Sequence, residues 1–527
     1  MRRLWLGSLL CTASLFAQLS ETIEVRVLEL EVAVLDRDGR PVDGLTRDDF
    51  EVFLANRPAE VTNFYGVRSG AMSDEAPMIA SAAKSQAKRE TLIPTNVIIV
   101  VDDTRLEPRA KRRALEAVSE YIKANVGLST SAMLVRWNGG NLDVRTRPTE
   151  RPGLLLAELD ILAQEPGQLR NTERQQLIQM IDLVFSADYD PDTGRGERPP
   201  MEPDQLRNEL MRYGEAEARA VDRTIAGLRE VVRLASAFDG RRAVLYISEG
   251  LPLQGGVELF DYWTKLQYSS NPNVNTKVAL WAQKALSPVD AQQFDRTQKY
   301  QQLSRDAQRA NVLFFAIDAG GLRTNEGSNA ETPTSLGSIS TFLMRSNVQE
   351  GLRYLAKETG GRFIANDSNL GRALAMMSEQ YTTYYSLGVR APASTRLTKV
   401  SVRVKNRPQL RTTTARYRRP LTREEDLERS VRTHLYTRLI ENPFGLTLGV
   451  GVPSRRGEMC TVPVSVRPHA GKIWFALLDE RMQESDVRTS SDPQIALGVR
   501  PGKYVLSVAV VATSGETSYL QQDIECR

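Results

Sequence analysis

The sequence predicts an α/β protein: a doubly wound parallel sheet between an N-terminal β-rich domain and a C-terminal β-sandwich. Three observations carry this. Thr95-Asn-Val-Ile-Ile-Val-Val-Asp-Asp-Thr-Arg-Leu106 holds an apolar, β-branched run, Val97 to Val101, that stops at two carboxylates and a hydroxyl. Such a run reads as a strand buried on both faces, the usual centre of a parallel sheet. Two later stretches repeat the pattern, Arg241-Arg-Ala-Val-Leu-Tyr-Ile-Ser-Glu-Gly250 and Val312-Leu-Phe-Phe-Ala-Ile-Asp318, and helical spacings separate them. Both ends of the chain, by contrast, alternate apolar and polar residues, as half-buried strands do.

The chain has 527 residues, too many for one core, so several domains are expected. Its 41% hydrophobic and 25% charged residues are those of a soluble globular protein. The formal charge is only +4, with no basic stripe interleaved with aromatics, which argues against a nucleic-acid partner.

Arg2 and Arg3 precede the mostly apolar Leu4 to Leu10, and Ala17 offers a cleavage point, so residues 1–17 read as a signal peptide. The apolar run is far short of the roughly 20 residues of a membrane span. Cys11 raises a lipoprotein alternative, but Leu10 stands where that signal wants a small residue. No later segment is long and apolar enough to span, so no integral membrane span is expected and the protein should be periplasmic or secreted. Of three cysteines only Cys460 and Cys526 would survive cleavage. In an oxidising compartment they are a disulfide candidate, the alternative being two unrelated buried thiols.

In order along the chain, Ile23 to Asp36 alternates as a strand with a register change near Leu28. Asp36-Arg-Asp-Gly-Arg-Pro41 is a turn, and Thr46-Arg-Asp-Asp49 looks like a helix cap before Phe50-Glu-Val-Phe53. Residues 20–68 therefore form the β-rich domain, and 69–94, without periodicity, a linker. After the Val97 strand, Pro108 can start a helix, with Leu115, Val118, Ile122 and Val126 on one face. Ala132–Trp137 and Leu142–Thr146 read as strands across Gly139-Gly140, and a helix follows from about Gly153. Residues 165–205 are an insertion, Glu215 to Phe238 a long amphipathic helix, and 256–310 a helical insertion. Val348–Glu358 is a helix stopped by Gly360-Gly361. Phe363-Ile364, a helix over Leu370–Tyr381 and Tyr384-Tyr-Ser-Leu-Gly-Val389 complete an α/β domain over 95–392. A β extension (393–420), a charged helical connector (421–438) and the β-sandwich (439–527) follow.

These residues resemble a von Willebrand factor A-type domain and, more narrowly, the exported A-domain-related family of acidobacteria. The likeness runs from about Ile23 to Tyr417. Its markers are Val34-Leu-Asp-Arg-Asp-Gly-Arg-Pro-Val-Asp-Gly-Leu-Thr-Arg-Asp-Asp-Phe-Glu-Val-Phe53, Ala316-Ile-Asp-Ala-Gly-Gly-Leu322, Leu355-Ala-Lys-Glu-Thr-Gly-Gly-Arg362 and Tyr384-Tyr-Ser-Leu-Gly388. The resemblance implies a Rossmann-like sheet whose carboxyl edge carries a metal-ion-dependent adhesion site. There a first loop supplies Asp-x-Ser-x-Ser, a second a Thr and a third an Asp. A hard cation such as Mg²⁺ takes those oxygens and leaves room for an acidic partner side chain.

This chain keeps part of that pattern. Asp102 and Thr104 match the first Asp and hydroxyl, while Leu106 replaces the second hydroxyl. Thr149 (or Thr146) is the candidate second-loop Thr, Glu249 stands where Asp is expected, and Asp103 could supply the lost oxygen. The competing view is a decayed site whose carboxylates cap and turn the chain. The expected function is an exported, non-enzymatic module that holds a protein partner, with Mg²⁺ weak or absent. The alternative is a metal-independent structural component of an envelope assembly. A hydrolase is disfavoured: the chain holds no G-x-S-x-G, H-E-x-x-H or P-loop motif, and His434 and His469 stand isolated.

Overall fold

The computed structural model describes residues 25–526 apart from 69, 73–92, 128, 166–170, 270–272, 287, 321–336, 366, 368, 393–399, 414–415, 419–421, 437–441, 469–470, 481–482 and 513–515. The expected signal peptide and most of the expected linker lie outside the described residues.

Strands β1 (Val25–Val32), β2 (Phe50–Leu54) and β3 (Val61–Arg68) open the chain. β1 pairs without a break, so the expected register change near Leu28 is absent: Leu28, Leu30 and Val32 face inward and Val27 outward. Thr46 and Asp49 form a reciprocal capping box on a single 3₁₀ turn rather than on a longer helix.

The α/β domain follows. Its strands are β4 (Thr95–Asp102), β5 (Thr130–Trp137), β6 (Leu142–Val144), β7 (Arg241–Ser248), β8 (Val312–Asp318) and β9 (Phe363–Ile364). They form one six-stranded sheet in the order β9-β8-β7-β4-β5-β6, parallel except for β6. β4 therefore lies inside the sheet, between β7 and β5, as its unbroken apolar run requires.

Helices cover both faces. On one, Val97, Ile99, Val101, Leu245 and Phe315 meet α1 (Pro108–Asn125), α2 (Pro152–Gln164) and α9 (Leu370–Thr382). On the other, Ile98, Val100, Tyr246 and Phe314 meet α4 (Pro203–Ser236), α7 (Thr297–Arg309) and α8 (Gly337–Thr359).

α4 is longer than the sequence suggests. Its 34 residues span about 50 Å at 1.5 Å per residue. Its inner half, from Val221, packs on the sheet, while Leu206, Leu210, Tyr213 and Ala218 belong to a second core. That second core is a helical insertion completed by α3 (Asn171–Phe185), α5 (Val257–Gln267) and α6 (Thr276–Ala285). Gly214 is required there: a Cβ would stand 2.6 Å from the Phe294 ring.

The chain then leaves the parallel sheet. β10 (Tyr384–Pro392), expected to close the α/β segment, instead pairs antiparallel with β1 and β3, and β11 (Val400–Val404) pairs with β2. The N-terminal strands are thus completed by strands more than 300 residues later, around Phe50, Phe64 and Tyr385. Tyr384, Tyr385, Leu387 and Val389 of β10 are all buried there, between β1 and β3, and the Tyr385 hydroxyl donates to the Val42 carbonyl 2.8 Å away.

α10 (Arg423–Tyr436) joins the bodies. Leu427, Val431, Leu435 and Tyr436 pack between the α4 face of the sheet and Trp474, Leu478, Val505 and Tyr519 of the C-terminal domain, in one continuous core. That domain comprises two four-stranded antiparallel sheets. One is built on β12 (Met459–Arg467), and β13 (Ile473–Asp479) belongs to the other. β14 (Gln494–Val499) pairs with β12, and β15 (Gly502–Val511) pairs with both β13 and β16 (Thr517–Cys526). A Cys460–Cys526 disulfide ties the two sheets, as the cysteine count predicts.

Candidate functional site

β4 delivers Asp102 to the carboxyl edge beside Trp137 of β5, and a 3₁₀ turn, Asp103–Arg105, follows at once. Asp102 is wholly buried. Its Oδ1 accepts from the Thr104 hydroxyl at 2.6 Å and the Thr104 N–H at 3.1 Å. Its Oδ2 accepts from the Tyr246 hydroxyl on β7, with Ser248 Oγ 3.4 Å away. Burial pushes the Asp102 carboxyl above its ordinary range, against the pull of Thr104, Tyr246 and the Arg105 charge. Burial, then the Asp102 charge, drives the Tyr246 hydroxyl far up, so it remains a donor.

Asp103 points the other way. It pairs with Lys111 Nζ at 2.9 Å and with Arg136 Nε at 2.5 Å. From there charges alternate across the edge: Arg136 reaches Glu165 at 2.8 Å, and Arg145 reaches Glu165, Asp143 and Glu158. Lys111 is almost wholly buried, and the Glu165 carbonyl 3.0 Å away shares its ammonium.

Glu249 also serves the chain itself. Its N–H donates to the Arg105 carbonyl at 2.9 Å, and its Oε1 accepts from the Glu107 N–H at the start of α1. Asp318, at the end of β8, accepts from Gln349 at 2.7 Å and from the Gly320 N–H at 3.0 Å.

The candidate threonines lie elsewhere. Thr149 bridges Ala132, five residues before the Trp137 that pairs with Asp102, about 16 Å along the strand at 3.3 Å per residue. Thr146 Oγ1 accepts from Leu134, about 10 Å away by the same measure. The cause is β6: it runs antiparallel to β5 after Gly139-Gly140 and carries both threonines away from the carboxyl edge.

Of the sequence candidates, the structure brings Asp102, Asp103, Thr104 and Glu249 to one edge and leaves Thr149 out. Residues that sequence reasoning passed over complete the edge: Tyr246, Ser248, Arg105 and Glu217. Tyr246 carried a signal, as a hydroxyl inside an otherwise aliphatic buried strand must find a partner. Glu217, 112 residues from Arg105 and 3.2 Å from its Nη2, carried none.

This donor set does not fit a resident Mg²⁺. Both Asp102 oxygens already accept hydrogen bonds, Asp103 holds two cations, Glu249 is turned to α1, and the guanidinium of Arg105 adds a positive charge beside them. Among the described residues, no three His, Cys, Asp or Glu side chains converge as metal ligands. His434 stacks on Tyr519 at 4.5 Å in the α10 interface, and His469 lies outside the described residues. Among the described helices none is long and apolar enough to cross a membrane.

No protein-family model matches the chain. No curated protein matches it either. Among solved structures, an aerotolerance-related membrane protein from Bacteroides fragilis NCTC 9343 aligns over 55% of this chain and 98% of its own, at 12% identity and a TM-score of 0.24. The pilus adhesin SpaC from Lactobacillus rhamnosus GG aligns over 91% of this chain and 56% of its own, at 6% identity and a TM-score of 0.27. A structure of three N-terminal domains of the type V pili tip protein Mfa5 from Porphyromonas gingivalis aligns over 95% of this chain and 77% of its own, at 8% identity and a TM-score of 0.27. Likeness of this degree transfers no function.

Proposed function

We propose that this chain is an exported, non-enzymatic protein-interaction scaffold, built on a von Willebrand factor A-type domain whose adhesion site works without a resident metal. The observation that supports it is the engagement of Asp102, Asp103, Glu249 and Asp318 by partners within the chain. Carboxylates so held are poor candidates for general acid–base work or for a hard cation, both of which need oxygens within reach of a substrate or ion. The disulfide between Cys460 and Cys526 supports export to an oxidising compartment.

A second reading, a structural component of an envelope assembly, is favoured by one feature. α10 welds the α/β domain to the β-sandwich through a single continuous core, as a part carrying load between domains would need.

Immobilised mature protein, challenged with envelope extract, tests both. The first reading expects the same proteins to be captured with Mg²⁺ and with chelator, and by Asp102→Asn as by the native chain. Capture that disappears in chelator overturns metal independence, and a Mg²⁺-dependent rise in melting temperature of the native chain does the same. If capture follows surfaces of the β-sandwich and not of the α/β domain, the structural reading prevails.

A further inference from the structure

The helical insertion stands against the carboxyl edge of the sheet. Arg105, three residues after Asp102, sends its guanidinium to Glu217 on α4, Nη2 to Oε2 at 3.2 Å, with side chains only 10% and 20% exposed. Its carbonyl meanwhile accepts from Glu249 in the loop after β7. That loop is pressed on α4 by two glycines. A Cβ on Gly255 would stand 2.6 Å from the Gly214 carbonyl, and one on Gly256, at φ 66°, would stand 3.1 Å from the Tyr213 ring. Three chain segments therefore meet at Arg105: its own turn after β4, the outer half of α4 through the guanidinium, and the loop after β7 through the backbone carbonyl.

Electrostatics gives this meeting its sign. The Arg105 charge lies in the field of two carboxylates, Glu217 first and Asp102 second, and these outweigh the cost of burying it. A divalent cation between carboxylates would act in the same way, drawing acidic groups from separate segments onto one positive centre.

We propose that Arg105 serves as a built-in cation at the sheet edge and Glu217 as its built-in acidic ligand, so that the insertion is held closed over the edge by the chain's own charges. The edge is thereby self-occupied, and no external ligand is needed to order it. Opening it requires breaking the Arg105–Glu217 pair.

Hydrogen exchange on the full mature chain tests it, with Glu217→Gln and Arg105→Met compared with native protein. Removing one member of a partly buried ion pair should cut protection of amides in Leu206–Ala218 and Val257–Gln267 roughly tenfold or more, while Val97–Val101 keeps its protection. Glu217→Gln preserves shape and lies at a partly exposed position, so it reports even if Arg105→Met folds poorly. Unchanged exchange in the insertion with Glu217→Gln overturns the proposal. Equal loss of protection in the insertion and in Val97–Val101 overturns it too, since the pair would then support the whole domain rather than hold the insertion.

Discussion

Tyr246 donates its hydroxyl to Oδ2 of Asp102 across two neighbouring strands, where both residues are wholly buried. The two lie 144 residues apart, and the adjacency of β4 and β7 alone brings them together. The bond turns what reads in sequence as an open acidic edge into a closed one. Tyr246→Phe should leave the ring packing intact and strip Oδ2 of its nearer donor, leaving only Ser248 Oγ at 3.4 Å. The expected loss is about 1–3 kcal/mol for a buried acceptor left with one long hydrogen bond, read as a lower denaturation midpoint. An unchanged midpoint would show that the bond contributes nothing net.

The N-terminal strands are clamped to the α/β domain by Arg241. Its guanidinium lies 3.7 Å above the Tyr384 ring, donates to the Tyr381 carbonyl and stands 3.9 Å from Glu31 of β1. Arg241→Met keeps most of the apolar stem but removes the charge at a site where Glu31 is also buried. A cost of about 3–5 kcal/mol is expected. Exchange should rise in β1 and β10 as well as in β7. A loss confined to β7 would contradict the clamp.

At the other junction Glu484, whose side chain is wholly buried, accepts from Arg233 of α4 and from the Tyr436 hydroxyl of α10. Glu230 first, then the Glu484 charge, keeps the Arg233 guanidinium above its ordinary range against partial burial. Glu484→Ala should loosen the β-sandwich from the α/β domain by several kcal/mol, about 3–5 for a broken buried pair. Limited proteolysis between the domains would become faster. Cleavage at the native rate would refute this.

The Cys460–Cys526 bond closes a loop of 66 residues in sequence separation. In the chain-entropy model that stabilises the folded domain by about 4 kcal/mol. Reductant should therefore lower the melting transition of the β-sandwich, and alkylation of unreduced, denatured protein should block neither thiol. Recovery of both cysteines alkylated without reduction would contradict the bond.

In the insertion, the Lys277 ammonium holds the Asp190 carboxyl down to about 2, below its ordinary 3.8, with Thr193 and the Asp192 N–H assisting. A depressed carboxyl contributes stability above its unfolded value, and that contribution disappears as pH falls from about 3.8 to about 2. Lys277→Met should raise the Asp190 midpoint toward the ordinary value. A carbon-detected NMR titration that finds it unmoved would disprove the pairing.

The resemblance motifs gain physical reasons from the fold. Arg362, in Leu355-Ala-Lys-Glu-Thr-Gly-Gly-Arg362, donates to the Gly39 carbonyl at 2.9 Å. Asp36-Arg-Asp-Gly-Arg-Pro41 and Thr359-Gly-Gly-Arg362 are thus two halves of one contact between the N-terminal strands and the α/β domain. Gly361 lies so close to β8 that a Cβ would stand 2.0 Å from the Phe314 carbonyl. Gly388 likewise leaves space for Asn63 on β3.

What the sequence determined by itself were local properties. The β-branched Val97–Val101 run specified a strand with both faces buried, Pro108 the start of α1, and Gly360 the end of α8. Alternation marked the outer β domains, and the cysteine count marked the disulfide. Each of these follows from period, propensity or composition within a short window. What only the tertiary structure decided is partnership. Antiparallel β6 takes Thr149 away from Asp102, and β10 returns to the N-terminal strands instead of joining the parallel sheet. Tyr246 and Glu217 close the edge from positions more than a hundred residues distant. The Coulomb and hydrogen-bond terms that govern the site act through space over a few ångströms, and no pattern along the chain encodes which distant group will stand there.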